Sequence, residues 1–361
     1  MAAVTPSTTE TMRHLHRLTE AVQRNCHISD ARHAREMTMC TYLLEMREFY
    51  RWEHEIPYHR QPRKEELTNW LCEREALWNR VESDDYEALP VGDARCDPFA
   101  VDDINRTLVP EGLVYGSGYG RFHKPHFFLG QLLRSERRAE FDVLVSGCEY
   151  ARDLTAVPAA LQDGTIYLRQ DALRRWLWEK VELWAVRRAE GALQLALLGY
   201  GFDGGPEAAL ARMTEGEGES AILHEIGEGL AGRLLGDDWQ QMLSSFSGRR
   251  SEVLARAVRD NVADCLSTLP ALLERGAASS LHFYFANFEG MRRTLFPKLM
   301  TAYRYWRDTG DTTSLQETAK EGQAHWVAVA SHLIALYRSD PCAAERNIEA
   351  LFAATEPALA L

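Results

Sequence analysis

The sequence predicts an α+β protein that is predominantly helical and has a small central β-sheet. Three observations predict this class: helical periodicity before residue 86, short apolar runs between residues 113 and 170, and helical periodicity from residue 219 onward. We place a boundary near residue 112. It gives an N-terminal helical region, 1–112, and an α+β region, 113–361.

Composition limits the class of function before any motif is considered. The 361 residues carry a net charge of −12, and Lys and Arg form only short runs, so no nucleic-acid surface is expected. No window reaches the roughly 18 uninterrupted apolar residues that a membrane span needs. The chain opens without a secretory segment, and its seven cysteines form no Cys-x-x-Cys pair. These features predict a cytoplasmic protein without a disulfide framework.

The N-terminal region is expected to consist of helices. Ser29 or Asp30 is a candidate N-cap, and residues 34–52 carry apolar side chains at three- and four-residue spacing. A further helix is expected over residues 65–81. Residues 86–112 are richer in Asp, Gly and Pro, which is typical of a connection.

The sheet is predicted from four short runs of apolar, aromatic or β-branched residues. These runs are 113–115, 126–130, 141–145 and 165–168. Asp163-Gly164 is a turn signal before the last of them. Asp171 follows that run and is expected to cap a long helix that extends through Trp184.

A glycine-rich segment, Tyr115-Gly-Ser-Gly-Tyr-Gly-Arg-Phe-His-Lys-Pro125, is predicted to be an exposed loop or hairpin. Its glycines can expose backbone N–H groups, and Arg121, His123 and Lys124 add positive charge, so a carboxylate or phosphate could bind there. The segment lacks the Gly-Lys-Ser/Thr ending of a phosphate loop and the glycine spacing of a dinucleotide fingerprint.

The strongest chemical signal is Leu223-His-Glu-Ile-Gly-Glu-Gly229, a His-Glu-x-x-Glu run in a helical segment. Residues four apart share one helix face, so His224 and Glu228 could bind one metal ion. Glu225 would then lie beside the ion, where a water-activating base is needed. The pattern predicts a divalent metal site with Glu225 as the catalytic base.

A catalytic metal site needs a third protein ligand besides water. Asp260 and Asp264 are one helical turn apart, so one could bind the metal while the other holds a ligand imidazole. Such a His, Glu and Asp set suits Zn, Fe or Mn alike. The bound ion would lower the pKa of its water molecule.

The order of these parts resembles the zincin-type metallopeptidases, in which a short strand precedes a His-Glu-x-x-His helix and a helix that bears two acids four residues apart. Here residues 165–168, 224–228 and 260–264 take those places, and Glu228 replaces the second histidine. The resemblance implies a zincin-like arrangement and a metal-dependent hydrolase. Its substrate would contain an amide or peptide bond, in a small molecule or a peptide.

Two alternatives use other features. Glu179, Glu182, Glu225 and Glu228 form Glu-x-x-Glu pairs, which would suit a carboxylate-bridged di-iron oxidoreductase, although no Glu-x-x-His spacing occurs. The other alternative is a non-catalytic helical binding protein whose acids only solvate helix faces.

Most of the chain also resembles an uncharacterised family of bacterial proteins. The segments that carry this resemblance are 28–31, 115–125, 164–178 and 224–228. It implies a bacterial, cytoplasmic protein and supplies no reaction.

Overall fold

The structure is a computed structural model that describes residues 8–120, 123–359 and 361. It confirms a predominantly helical α+β protein. The chain divides into two compact units, Met1–Glu179 and Lys180–Leu361. The sequence placed a boundary near residue 112 instead. Residues 101–119 pack together within the first unit, where a helix covers the neighbouring strand, so residue 112 lies inside a compact unit.

The helices of the first unit are α1 (Thr8–His33), α2 (Met39–Glu53), α3 (Lys64–Val81), α4 (Val101–Leu108) and α5 (Gln170–Arg187), within which the division into units falls. The helix start predicted at Ser29 or Asp30 is wrong, because α1 runs through both residues. Both are buried and make tertiary hydrogen bonds to Pro125 and Lys124, so they do not cap a helix. Thr38 caps α2 instead.

Among its described residues, the first unit has seven strands: β1 (Leu89–Val91), β2 (Ala94–Cys96), β3 (Leu113–Tyr119), β4 (Pro125–Arg138), β5 (Phe141–Arg152), β6 (Ala159–Gln162) and β7 (Thr165–Arg169). β1 and β2 form a hairpin. The other five form one sheet in the order β3-β4-β5-β7-β6, in which only β5 and β7 are parallel. The four runs predicted as strands lie in β3, β4, β5 and β7 and are confirmed.

The two faces of this sheet have different surroundings. Phe127 and Leu129 of β4 are fully buried in one apolar cluster with Leu18 and Val22 of α1. Burial of such side chains contributes about 1.5–3 kcal/mol each. Because successive side chains of a strand alternate between faces, His126 and the other alternate residues of β4 point to the opposite face. That face lines a cavity.

The second unit is helical. Its helices are α6 (Ala192–Tyr200), α7 (Pro206–Leu235), α8 (Asp237–Ser245), α9 (Arg249–Ala263), α10 (Leu269–Glu274), α11 (Ala278–Asn287), α12 (Gly290–Leu295), α13 (Pro297–Thr309), α14 (Thr313–Ser339) and α15 (Ala344–Leu359). A π-helical turn, Asp264–Thr268, joins α9 to α10. Breaks between these helices fall at Gly236, Gly248, Gly276 and Gly310, and all of these except Gly248 adopt a positive φ. Across the described residues, no helix is long and apolar enough to cross a membrane.

Candidate functional site

The His-Glu-x-x-Glu run lies on α7, where it packs against the π-helical turn. Gly227 permits this close approach, because a Cβ atom there would collide with the backbone of Ala263. Ser267 donates a hydrogen bond to the carbonyl oxygen of Leu223 over 2.7 Å and fixes the contact. The turn thereby brings Asp264 to His224.

His224 lies between two carboxylates. Its Nδ1 is 3.2 Å from Oδ1 of Asp264, and its Nε2 is 3.4 Å from Oε1 of Glu228. Both ring nitrogens therefore face an acid. The sequence predicted that His224, Glu228, Asp260 and Asp264 share one site. The structure places Glu228 and Asp264 against His224, with Asp264 at one ring nitrogen, whereas Asp260 lies 3.6 Å from Arg259 instead.

Each of these carboxylates also has an arginine partner. Arg259 donates from Nη2 to Oε1 of Glu228 over 2.9 Å, and Arg292 donates to Oδ2 of Asp264. The Tyr284 hydroxyl donates to the same Asp264 oxygen over 2.9 Å. No pattern in the sequence distinguishes Arg292 or Tyr284, which come from the separate helices α12 and α11.

The electrostatics of this network favour a protonated imidazole. Burial alone would lower the pKa of His224, but hydrogen bonds to Asp264 and Glu228 outweigh it and raise the pKa to about 10. Burial opposes ionisation of Asp264 as well, yet Arg292 and His224 hold its pKa below the usual range. Burial raises the pKa of Asp260, which lies 3.6 Å from Arg259. The network is close to neutral overall.

This arrangement fits a divalent metal poorly. A ligand imidazole must be neutral with one nitrogen free, whereas both nitrogens of His224 face carboxylates that arginines already neutralise. Among residues 8–120 and 123–359, no three His, Cys, Asp or Glu side chains are placed to hold an ion. Glu225 is half-buried on the same helix and has an interaction of its own. The zinc, iron or manganese hydrolase stays a prediction.

Metal content tests that prediction directly. Because arginines neutralise the carboxylates, we expect tag-free protein and His224→Ala to contain equally little zinc, iron and manganese by inductively coupled plasma mass spectrometry. Glu225→Gln serves as a control that keeps the imidazole. One equivalent of metal in the wild type that is lost in His224→Ala would restore the metal-dependent hydrolase.

Two of the four acids of the di-iron alternative, Glu179 and Glu228, have arginine partners. Arg175 donates to Oε1 of Glu179 over 3.0 Å, as Arg259 does to Glu228. A di-iron centre needs carboxylates that face each other around the metals. This alternative also stays a prediction, and two equivalents of iron in the same measurement would support it.

A different site lies in the first unit, where the glycine-rich segment is located. Gly116 and Gly118 belong to β3, and with Gly120 they occupy alternate positions on one face of the chain. A Cβ atom at Gly116 would collide with the Phe128 ring, and one at Gly120 with the His126 ring. The predicted hairpin is confirmed, since residues 115–119 of β3 pair with residues 125–129 of β4, but the expected exposure is wrong for residues 115–117, which are buried. The glycines leave one strand face bare.

The bare face borders a cavity of about 380 Å³, which is within the range of small-molecule sites. Apolar lining comes from Phe128, Val157, Ala160 and Leu161. Polar side chains converge on it from β4, β6 and β7, among them His126, Gln162, Tyr167 and Arg169. A largely apolar cavity with a few converging polar groups is the usual form of a small-molecule site.

Arg169 is the most informative of these groups. It is 5% exposed, its Nε donates to Oε1 of Glu149 over 2.5 Å, and its Cζ lies 4.3 Å from the centre of the Phe128 ring. Its Nη2 is buried and has no hydrogen-bond partner among the described residues. A buried, unsatisfied guanidinium group is costly, and an anionic ligand would satisfy it.

A buried ionic cluster holds His126 beside the cavity. Nδ1 of His126 bonds to Oδ2 of Asp153, which is 3.2 Å from Nζ of Lys124, and Lys124 donates to Asp30 over 2.7 Å. Burial would raise the pKa of Asp153, but Lys124 and His126 lower it, so this carboxylate stays ionised. Burial raises the pKa of Asp30 to about 6. Asp153 thereby fixes the orientation of the His126 ring.

The sequence predicted that Arg121, His123 and Lys124 could bind an anion, and the two of them that the structure describes do not line this cavity. Lys124 is neutralised by Asp30 and Asp153. His123 is exposed and adopts a positive φ, and Arg121 lies outside the described residues. The cation that faces the cavity is Arg169. The sequence gives one indication of this role: Arg169 follows Tyr167 by two residues, which places both side chains on one face of β7.

The fold and the site describe an α+β protein with a small-molecule cavity in its first unit. The N-terminal domain of a family of unknown function (DUF6866) matches residues 17–169, and the C-terminal domain of the same family matches residues 174–355. The chain therefore belongs to this family. The family match gives no evidence of a relation to the zincins. No curated protein and no solved structure matches the chain significantly.

Proposed function

We propose that the protein binds a small organic anion in the cavity of its first unit. The observation that carries this proposal is that Arg169 lines the cavity while its buried Nη2 has no hydrogen-bond partner among the described residues. A carboxylate or phosphate supplies the charge and the acceptor atoms that this group requires.

The other polar side chains would orient such a ligand. Tyr167 accepts a weak hydrogen bond from Asn105 at 3.4 Å, which leaves its hydroxyl proton available for a ligand. His126 bonds to Asp153 through Nδ1 and can offer Nε2 to the cavity. The apolar walls would bury the rest of the molecule, which is how a small site gains affinity beyond a single ion pair.

Ligand binding can be tested with benzoate, succinate and inorganic phosphate as probes. We expect at least one probe to raise the unfolding temperature of the wild type and to bind in isothermal titration calorimetry. Arg169→Lys keeps the charge beside Glu149 but loses the planar fork, so we expect it to bind that probe about tenfold more weakly. Arg95→Lys, an exposed arginine on β2, is the matched control.

A second variant tests the cavity without touching its charge. Gly118 has only the Gln162 side chain nearby, with Oε1 3.2 Å from an added Cβ atom, so Gly118→Val should fold and fill the space. We expect it to abolish probe binding. Undiminished binding in both Arg169→Lys and Gly118→Val would rule out this cavity as the anion site.

A further inference from the structure

A second cavity adjoins the first and has the opposite charge. Its volume is about 320 Å³, and Gln162 and Tyr167 line both cavities. Asp102, Asp103 and Asp163 line the second cavity. Gln162 and Tyr167 therefore separate a cavity that Arg169 lines from a cavity that three carboxylates line.

Two of these carboxylates are available to a ligand. Arg106 donates from Nη1 to Oδ1 of Asp103 over 2.8 Å and neutralises it. Asp102 and Asp163 are exposed, and within the described part of the chain neither has a hydrogen-bond or ion-pair partner. They come from different elements, since Asp102 is in the first turn of α4 and Asp163 is in the turn between β6 and β7.

Tyr167 lies within electrostatic reach of both free carboxylates. Burial is the main reason why the pKa of its phenol is raised to about 12, and the negative charges of Asp102 and Asp163 raise it further. The hydroxyl therefore stays protonated at neutral pH and can donate a hydrogen bond. A ligand that passes Tyr167 would meet Arg169, which has a donor without an acceptor, at one end and free carboxylates at the other.

We infer that the ligand of this site is a small zwitterion, whose carboxylate pairs with Arg169 and whose ammonium group faces Asp102 and Asp163. The inference rests on the proposed anion site and adds the class of ligand. An acidic group of residues would not define a site by itself. Here the buried Nη2 of Arg169, which has no partner among the described residues, shows independently that a hydrogen-bond acceptor is missing.

The inference also predicts which molecules bind weakly. A simple monocarboxylate satisfies Arg169 but leaves Asp102 and Asp163 without a counter-charge. A dicarboxylate would bring a second negative charge toward these acids, and like charges that meet in a binding site oppose binding. An aliphatic amine lacks the group that Arg169 requires. The site should therefore prefer a molecule with a carboxylate at one end and an ammonium group at the other, which is an amino acid in the broad sense. The carbon chain of this molecule would have to span the two cavities.

Matched probes separate these contributions. We would titrate the full-length protein with γ-aminobutyrate, δ-aminovalerate and ε-aminocaproate, and with the carboxylate and the amine of the same chain length: butyrate and butylamine, valerate and pentylamine, caproate and hexylamine. At the chain length that fits, we expect the amino acid to bind about tenfold more tightly than its carboxylate and far more tightly than its amine.

Variants then test whether Asp102 and Asp163 cause the preference for an amino acid over its carboxylate. Asp163 adopts a positive φ of 48° in its turn, which asparagine tolerates, so the double variant Asp102→Asn/Asp163→Asn should keep the fold. We expect it to bind the amino acid roughly fivefold more weakly, as for loss of a solvent-exposed ion pair, and the carboxylate no worse than the wild type does. Asp93→Asn, an exposed acid in the β1–β2 turn, is the control.

The outcomes distinguish this inference from the anion site itself. If an amino acid and its carboxylate bind equally at every length, or if the double variant keeps the preference, the zwitterion inference is wrong while the anion site stands. If no amino acid binds at all, the inference is wrong as well. Binding of every probe that is unchanged in Gly118→Val overturns both.

Discussion

Glu217→Gln is expected to be more stable than the wild type above pH 7, by about 3 kcal/mol in the free energy of unfolding. Glu217 of α7 is 4% exposed, and burial raises its pKa from 4.5 to about 7. The Tyr200 hydroxyl donates to its Oε1 over 2.5 Å and contacts Ser280 at 2.8 Å. Within the described residues no cation pairs with this carboxyl group.

The sign of the pH dependence follows from the raised pKa. Between pH 4.5 and about 7 the folded protein holds a proton that the unfolded chain has lost, so stability falls as the pH rises through this window. Below pH 4.5 the neutral acid contributes its full stabilisation. Glutamine keeps a carbonyl acceptor for Tyr200 and has no proton to lose. The difference between variant and wild type should therefore grow from pH 4.5 to 7 and then stay constant.

Urea unfolding at several pH values measures this difference. Glu215→Gln, an exposed acid on the same helix, should follow the wild type at every pH. A constant difference between Glu217→Gln and the wild type from pH 4.5 to 8 would show that Glu217 titrates normally.

The sequence predicts the sheet well because its main strands contain buried, alternating or β-branched runs. β6 escapes prediction, since it has only four residues, none of them fully buried. Helix starts are harder to predict. Ser29 and Asp30 have the side chains of an N-cap, but tertiary hydrogen bonds to residues about 95 positions away in the sequence hold them inside a continuous helix.

The glycine-rich segment shows a second limit of sequence reasoning. Glycine commonly marks a turn, which predicts an exposed loop or hairpin over residues 115–125. In the structure, glycines at alternate positions of an edge strand leave one face without side chains and make room for Phe128 and His126. Only the pairing of β3 with β4 explains their spacing, and that pairing is a tertiary fact.

The site around His224 shows which contacts local spacing can predict and which it cannot. His224 and Glu228 share one turn of α7, and Asp264 lies in a predicted helix, so the sequence brings these three residues together correctly. The arginines that pair with these carboxylates come from α9 and α12, and the resulting ionic network cannot be predicted from the motif. The net charge around a site depends on side chains from every neighbouring helix and strand, whereas a motif contains only residues close together in the sequence.

Asp264→Asn should destabilise the protein strongly, because it removes the carboxylate that His224 and Arg292 share. Loss of one partner from a buried ion pair typically costs about 3–5 kcal/mol, since the remaining charge keeps its burial and loses its compensation. Asp264 is 1% exposed and contacts His224, Arg292 and Tyr284. Urea unfolding at pH 7 would measure the loss.

Asp260→Asn is the matched control, one helical turn earlier. Burial raises the pKa of Asp260, and its nearest arginine nitrogen is 3.6 Å away, so neutralising this acid should cost much less. Equal losses in the two variants would contradict a special role for Asp264 in the network.

The pH dependence gives a second readout of the same network. The pKa of His224 is about 10 in the folded protein and 6.5 without its partners, so its contribution to stability is complete below pH 6.5 and is lost as the pH rises through 10. His224 is 33% exposed, so solvent screening reduces the size of this contribution but not its sign. A neutral amide in place of the Asp264 carboxylate could not hold the imidazolium charge, so the decline between pH 7 and 10 should become shallower in Asp264→Asn. If the decline is equally steep in Asp264→Asn and the wild type, His224 does not depend on Asp264 for its charge.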